Sequence, residues 1–407
     1  MRAQSFVLFA TSLSICISLG CSSAPPPDPC ASIVVDDFKE LMVIEPSVLS
    51  DARALNASSG VWSFRHVVES LVPANADASK FVQDWFNEWV TTQNFNGYPL
   101  DAPNETRVTS MNQEIMCPWM QRTAGNNCNV DCSQCAANPP KIDLAQAPFR
   151  PIAIVNRMDL RDQPDLGASG ESRIIFALYN GAADDAASTP MPMTMIFEYG
   201  LPTTKTAQQW ANEWHALGSH AAFDDAFKTA LAAFTEEWIG RGSSPTSQNG
   251  SALSQVRTNE SALDWIWQER QFELGKDGGL HLAGLRNTPP DELNGSQVIT
   301  NYILANSSSV ITQSYAMPQG LLGGSTSAQL FQWSFPGVSE EQRRAFSTNT
   351  CNGCHTQEKQ NLDTAFHVSP FRTGIDRLSQ FVYDPLDRSK DQLTVREQAM
   401  RAALCGK

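Results

Sequence analysis

The chain is short of positive charge. It carries 29 Lys and Arg against 43 Asp and Glu, a formal net charge of −14 over 407 residues. That balance argues against a nucleic-acid partner and against attraction to anionic lipid, both of which need clustered cations. Long apolar runs are scarce as well: one lies at the N-terminus, and no later stretch approaches the length of a transmembrane helix. No Gly-x-Ser-x-Gly elbow, His-Glu-x-x-His helix or dinucleotide fingerprint occurs, so hydrolase, zinc-protease and nucleotide-dependent chemistry have no positive support. The stretch 320–327 is glycine-rich but lacks the Gly-Lys-Ser/Thr ending of a phosphate loop, and reads as a flexible connection. No internal repeat is present.

What is present begins with a targeting pattern. Arg2 supplies a short positive region, Phe6 to Leu19 an apolar one too short to span a membrane, and Gly20 a small residue before Cys21. Residues 1–20 are therefore expected as a signal peptide. Ser22 to Pro29 (SSAPPPDP) reads as a semi-rigid tether within 21–36 that packs no core. Leu19-Gly20-Cys21 resembles the cleavage box of bacterial lipoproteins, with Ser18 where that family usually has Leu three residues before the cysteine. The resemblance implies that Cys21 becomes a lipidated first residue. The protein would then sit in the cell envelope, at the periplasmic face of the outer membrane or the cell surface, touching the membrane through its N-terminal lipid alone. Simple secretion is the alternative.

Ten cysteines suit an exported, oxidising setting. Setting aside Cys16, Cys21, Cys351 and Cys354, six remain as disulfide candidates: Cys30, Cys117, Cys128, Cys132, Cys135 and Cys405. Four of these crowd into the loop 117–135, where two bridges are the preferred arrangement and a four-thiolate zinc or iron–sulfur site the alternative. Cys30 and Cys405 lie near the two ends and could close the chain on itself.

The composition is globular, 42% hydrophobic with ten Trp and twenty Phe, so residues 37–338 can bury a large α+β body. Phe81, Val82, Trp85, Phe86, Trp89 and Val90 recur at helical spacing, behind Asp77 as a possible cap. Runs 151–156, 173–179 and 193–199 read as strands of an antiparallel sheet. Arg157, Asp159, Glu171, Arg173 and Glu198 could meet across their ends, either as acid–base machinery or, more simply, as ion pairs on a solvated face. Asp159, Asp162 and Asp165 could hold calcium but lack the EF-hand pattern. Two apolar stripes, Ala207 to Leu217 and Phe223 to Trp238, predict a helix pair with Ser219 as the second cap, and His215 and His220 flank the turn as surface histidines. Alternation from Leu263 to Trp267 resumes on the other parity at Phe272, which predicts a β-bulge near Glu269 or Arg270. Lys276–Gly279 predicts a turn into a partner strand, and residues 298–310 a helix.

The motif around which function turns is Cys351-Asn352-Gly353-Cys354-His355. Two thiols can form thioethers to the vinyl groups of a haem c, and the adjacent imidazole can bind its iron. Chance alone would yield this order roughly 0.004 times in a chain of this composition. A local disulfide or half a zinc site is the alternative. Ser339-Glu340-Glu341-Gln342 is a capping box that starts a helix leading into the motif. This arrangement, over about residues 339–375, resembles the haem segment of class I cytochromes c, and Phe346 could pack on the macrocycle. That family usually supplies a methionine downstream as the second ligand, and here the chain departs from it. His367 is the first candidate, then Met400 and Met317, with an open position also possible. The strand 154–160 (IVNRMDL) together with a C-terminal Cys-x-x-Cys-His is similar to large bacterial lipoproteins of no assigned activity.

The expectation is thus an α+β body of mixed helices and antiparallel sheet, with a small helical c-type haem segment at 339–407 docked on it. Electron transfer to a redox partner protein is the first function. The alternatives are a peroxidase-like haem enzyme with an open distal site and a structural or interaction lipoprotein.

Overall fold

Alternating side chains lay out the centre of the molecule. Met193, Met195, Phe197 and Tyr199 are each 0% exposed on one face of a strand, while Thr194, Ile196 and Glu198 point to the other. A computed structural model of the chain describes residues 29–91, 94–100, 105–123, 142–161, 169–263, 266–327, 332–358 and 365–407. The signal segment, Cys21 and most of the tether lie outside the described residues. Among those described, no helix is long and apolar enough to cross a membrane.

The fold is α+β, with helices around a mostly antiparallel sheet of eight strands. Across the sheet run β1 (Met42–Val43), β4 (Phe149–Arg157), β5 (Glu171–Tyr179), β6 (Pro190–Gly200), β7 (Leu253–Glu260), β8 (Gln268–Leu274) and β10 (Ser325–Ser327). β9 (Leu280–Ala283) pairs Gln271–Leu274 of β8 through the expected turn. β2 (Asn94–Phe95) and β3 (Tyr98–Pro99) form a separate hairpin. The predicted bulge near Glu269 is absent. β8 pairs β7 in unbroken register, and the parity slip arises because Leu263 and Trp267 precede the strand rather than belong to it.

One face of the sheet is aromatic. Phe149, Phe176 and Phe197 meet Phe64 of the helix Phe64–Leu71, with ring centroids 4.6, 5.6 and 6.2 Å away. Trp85 and Trp89, on the helix Ala78–Thr91 capped by Asp77, close on Phe272 at 5.8 and 4.5 Å. Each of these side chains contributes on the order of 3 kcal/mol through burial. The helix pair forms as Ala207–Gly218 and Asp225–Ile239. Its second cap is Asp224 rather than Ser219, because the Asp224 carboxylate accepts the Phe227 N–H at 2.9 Å. The helix expected over 298–310 breaks at Asn306 into Gln297–Ala305 and Ser307–Ile311.

The C-terminal segment has no core of its own. Phe346 is buried with Trp333, Phe335 and Tyr315 in a satellite cluster, away from the cavity described below, so it is not placed to pack on a macrocycle there. Leu393, Met400 and Ala403 of the helix Gln392–Leu404 enter the main core. The Cys30–Cys405 disulfide ties the end of that helix back to the start of the described chain. Cys117 is disulfide-bonded as well, while Cys128, Cys132 and Cys135 lie outside the described residues. Residues 351–358 and 365–396 lie over the second, polar face of the sheet, and between the two is a cavity of about 660 Å³.

Candidate functional site

The helix Glu340–Thr348 opens with the expected capping box, Ser339 and Gln342 satisfying each other's backbone N–H groups. It delivers the chain into a second helical turn that carries the two cysteines. Trp333 Nε1 donates to Thr350 Oγ1 at 3.0 Å and Asn352 Oδ1 at 3.1 Å, and the Cys351 N–H donates to Thr288 Oγ1 at 2.9 Å. A Cβ on Gly353 would stand 2.0 Å from the Ser347 carbonyl oxygen, so only glycine lets this turn pack so closely on the preceding helix. Glu358, 4% exposed at its side chain, closes the turn by pairing with Arg343 at 2.5 Å.

No disulfide joins Cys351 to Cys354, so the local bridge expected as an alternative is not formed. Spaced three residues apart on a helical turn, they share a face, and both line the cavity with His355 and His367. The His355 ring stacks on Trp267 at 4.6 Å and 21°. Its Nδ1 lies 3.3 Å from the Ala365 carbonyl. A carbonyl only accepts, so Nδ1 carries a proton. The ring's Nε2 lies 3.6 Å from Glu269 Oε2. His367 is held by Ser379 Oγ at 3.2 Å from Nδ1, while its Nε2 reaches Cys354 Sγ at 3.6 Å. The two imidazoles touch, with centroids 4.1 Å apart, closer than a metal held between them would allow. Burial pushes the Cys351 thiol well above its ordinary pKa, and Glu269 adds to that, so the thiol is neutral.

The polar face of the sheet supplies the other wall. Strand register places Arg173 opposite Glu198 and Arg157 opposite Glu171. Arg173 pairs with Glu171 at 2.5 Å and Glu198 at 3.3 Å, Arg257 with Glu198 at 2.5 Å, and Arg157 with Asp159 at 2.8 Å. These groups do meet, as the sequence allowed, but not on a solvated face: Glu171 and Glu198 are 0% exposed, because the C-terminal segment covers them. Burial pushes the Glu171 carboxyl up, with Arg173 only partly offsetting it. For Glu198 burial also opposes the charge, but Arg173 and Arg257 outweigh it and hold the carboxyl below the usual range.

The cavity thus brings together Cys351, Cys354, His355 and His367. It does not include the two methionines. Met400 is buried in the main core, its sulfur 3.5 Å from Asn156 Nδ2, and Met317 belongs to the satellite cluster. Asp159 is engaged by Arg157, and Asp162 and Asp165 lie outside the described residues. His215 hydrogen-bonds the buried Glu40 at 2.7 Å, and His220 packs on Phe227 at 5.8 Å. Among the described residues no group of three or more His, Cys, Asp and Glu side chains is placed to hold a metal ion. Trp267, Glu269, Arg257 and Arg396 are site residues that sequence reasoning missed. Only the alternation around Trp267 hinted at any of them.

Two thiols and two imidazoles are the residue types that a covalently held haem uses, for thioethers and for iron, although the imidazoles as they stand are in contact. No family model, curated protein or solved structure matches the chain.

Proposed function

We propose that this is an exported, lipid-anchored c-type haem protein that transfers electrons. One observation carries the proposal: both motif thiols, His355 and His367 converge on a single cavity. Cys351 and Cys354 would hold the haem through thioethers, and His355 would bind it through Nε2. His367 would be the second nitrogen donor, which requires the two rings, in contact here, to move apart. Bound there, the haem supplies a one-electron couple. The protein's part is to hold its ligands still. Trp267 fixes the plane of His355, the Ala365 carbonyl fixes its tautomer, and Ser379 orients His367. The polypeptide over the sheet half-buries Cys354, His355 and His367. Lipid on Cys21 would keep the protein in the envelope, within reach of a redox partner protein.

The test is expression of the full chain with haem-attachment machinery, followed by denaturation. The wild type is expected to hold low-spin iron when native and to stay red when denatured, and the Cys351→Ala/Cys354→Ala chain to be colourless once denatured. His367→Ala is expected to turn the iron high-spin and open it to carbon monoxide. A colourless wild type overturns the proposal. A wild type already high-spin and indifferent to His367→Ala would replace electron transfer with a peroxidase-like enzyme.

A further inference from the structure

Five arginines reach the cavity wall: Arg157, Arg173, Arg257, Arg286 and Arg396. The first three are matched by carboxylates. Arg157 binds Asp159 through Nε and Nη2 at 2.9 and 2.8 Å, Arg173 has Glu171 and Glu198, and Arg257 has Glu198 and Glu269. Arg396 differs. It projects from the helix Gln392–Leu404, is only 7% exposed, and its Nε and Nη1 are buried without a hydrogen-bond partner. No ion pair reaches it among the described residues. Asp159 attracts it from further away, but Arg157 and Arg173 repel it. Native chains satisfy or pair nearly all buried cations. A guanidinium left with open donors inside a cavity is therefore shaped for something that enters that cavity. A planar, bidentate donor of this kind best fits a carboxylate.

We infer that Arg396 is the receptor for a carboxylate bound in the cavity between the sheet and the C-terminal segment. The inference stands on Arg396 and its surroundings and does not depend on haem attachment. One carboxylate chemistry has two sources, an acid side arm of a macrocycle held at Cys351 and Cys354, or a free organic acid. The guanidinium donates through its open N–H groups to the acid, and Arg157 adds positive potential without giving up Asp159.

The experiment uses the full chain produced without haem-attachment machinery, with sodium propionate as the probe against sodium chloride of equal ionic strength. Binding is followed by calorimetry and by the rise in melting temperature that ligand linkage requires. The wild type is expected to bind saturably, and Arg396→Gln to bind at least about tenfold more weakly. Arg396→Lys keeps the charge but loses the fork, and is expected to fall between them. A wild type with no saturable binding by roughly 50 mM overturns the inference, and so does equal affinity in Arg396→Gln. The wild-type measurement decides the matter even where the variants fold poorly. Repeating it on haem-bearing chain separates the sources: propionate excluded from the red protein assigns the site to the macrocycle's own acid, and propionate still bound assigns it to a free one. Should no haem attach, the first titration is unaffected.

Discussion

The two faces of one sheet are built from alternate residues of the same strands, and they follow opposite rules. On β6, Met195 and Phe197 sit 0% exposed among aromatic rings of the overlying helices. Their neighbour Glu198 is equally buried, yet spends its burial holding Arg173 and Arg257. The apolar face gains from every square ångström removed from water. The polar face does not, since a buried ion network roughly breaks even against well-packed apolar side chains of similar volume. A chain selected for stability alone could fill the second face with Val and Ile. That it keeps charges, two thiols and two imidazoles around a cavity marks that face as the working side.

The largest expected effect lies on the apolar face. Trp85 is fully buried against Phe86, Trp89, Phe197 and Phe272. Trp85→Ala should cost about 4 kcal/mol in urea unfolding, while labelling of Cys354 and propionate binding remain as in wild type under native conditions. A loss below about 1 kcal/mol, or one accompanied by a changed site, would break the division between the faces.

How far this division could be seen in the residues follows from where each signal resides. β4, β5 and β6, the helix Ala78–Thr91 and the capping box at Ser339 were legible, because their signals are periodic or local. β7 was not. Its sequence, Leu253 to Glu260, has no clean apolar stripe, because Gln255, Thr258, Asn259 and Glu260 are buried polar groups with specific partners. Glu260, for example, accepts from Trp89 Nε1 at 2.6 Å and also pairs with Arg107. Such polarity looks like a loop until the partners are known. The motif cysteines and His355 were legible from spacing, and His367 ranked above Met400 and Met317. The cavity itself was hidden. It needs the register of Arg173 against Glu198 and a C-terminal segment laid over them, and neither leaves a mark in local sequence. For the same reason a buried network read as a solvated one.

A smaller effect sharpens the comparison through pH. Asp159 is half-buried, which opposes its charge, but Arg157 outweighs that and holds the carboxyl down to about 2. Its folded pKa lies below the unfolded value of about 3.9, so the stability it contributes is present above that value and lost as pH falls toward 2. The shift corresponds to about 2 kcal/mol. Asp159→Asn should therefore cost about that much at pH 7. The gap to wild type should close as pH is lowered from about 4 to about 2, where wild-type Asp159 is itself protonated. Urea midpoints across that range measure it. A gap independent of pH would mean that shape, not charge, sets the worth of this pair.

The smallest effect has the opposite sign. Burial, with repulsion from Arg157, brings Arg396 down to about 9, so at pH 7 it is still charged and its Nε and Nη1 still lack partners. The folded pKa lies below the unfolded one, so the charge costs stability at every pH below about 9, and the cost eases only as pH rises through that value. An apolar side chain of similar length removes the cost and keeps most of the packing. Arg396→Met should thus stabilise the haem-free chain by about 1 kcal/mol while abolishing propionate binding. Gains of that kind accompany residues retained for use rather than for stability. If Arg396→Met instead destabilises the free chain, Arg396 supports the fold, and the polar face is less distinct from the apolar one than its chemistry implies.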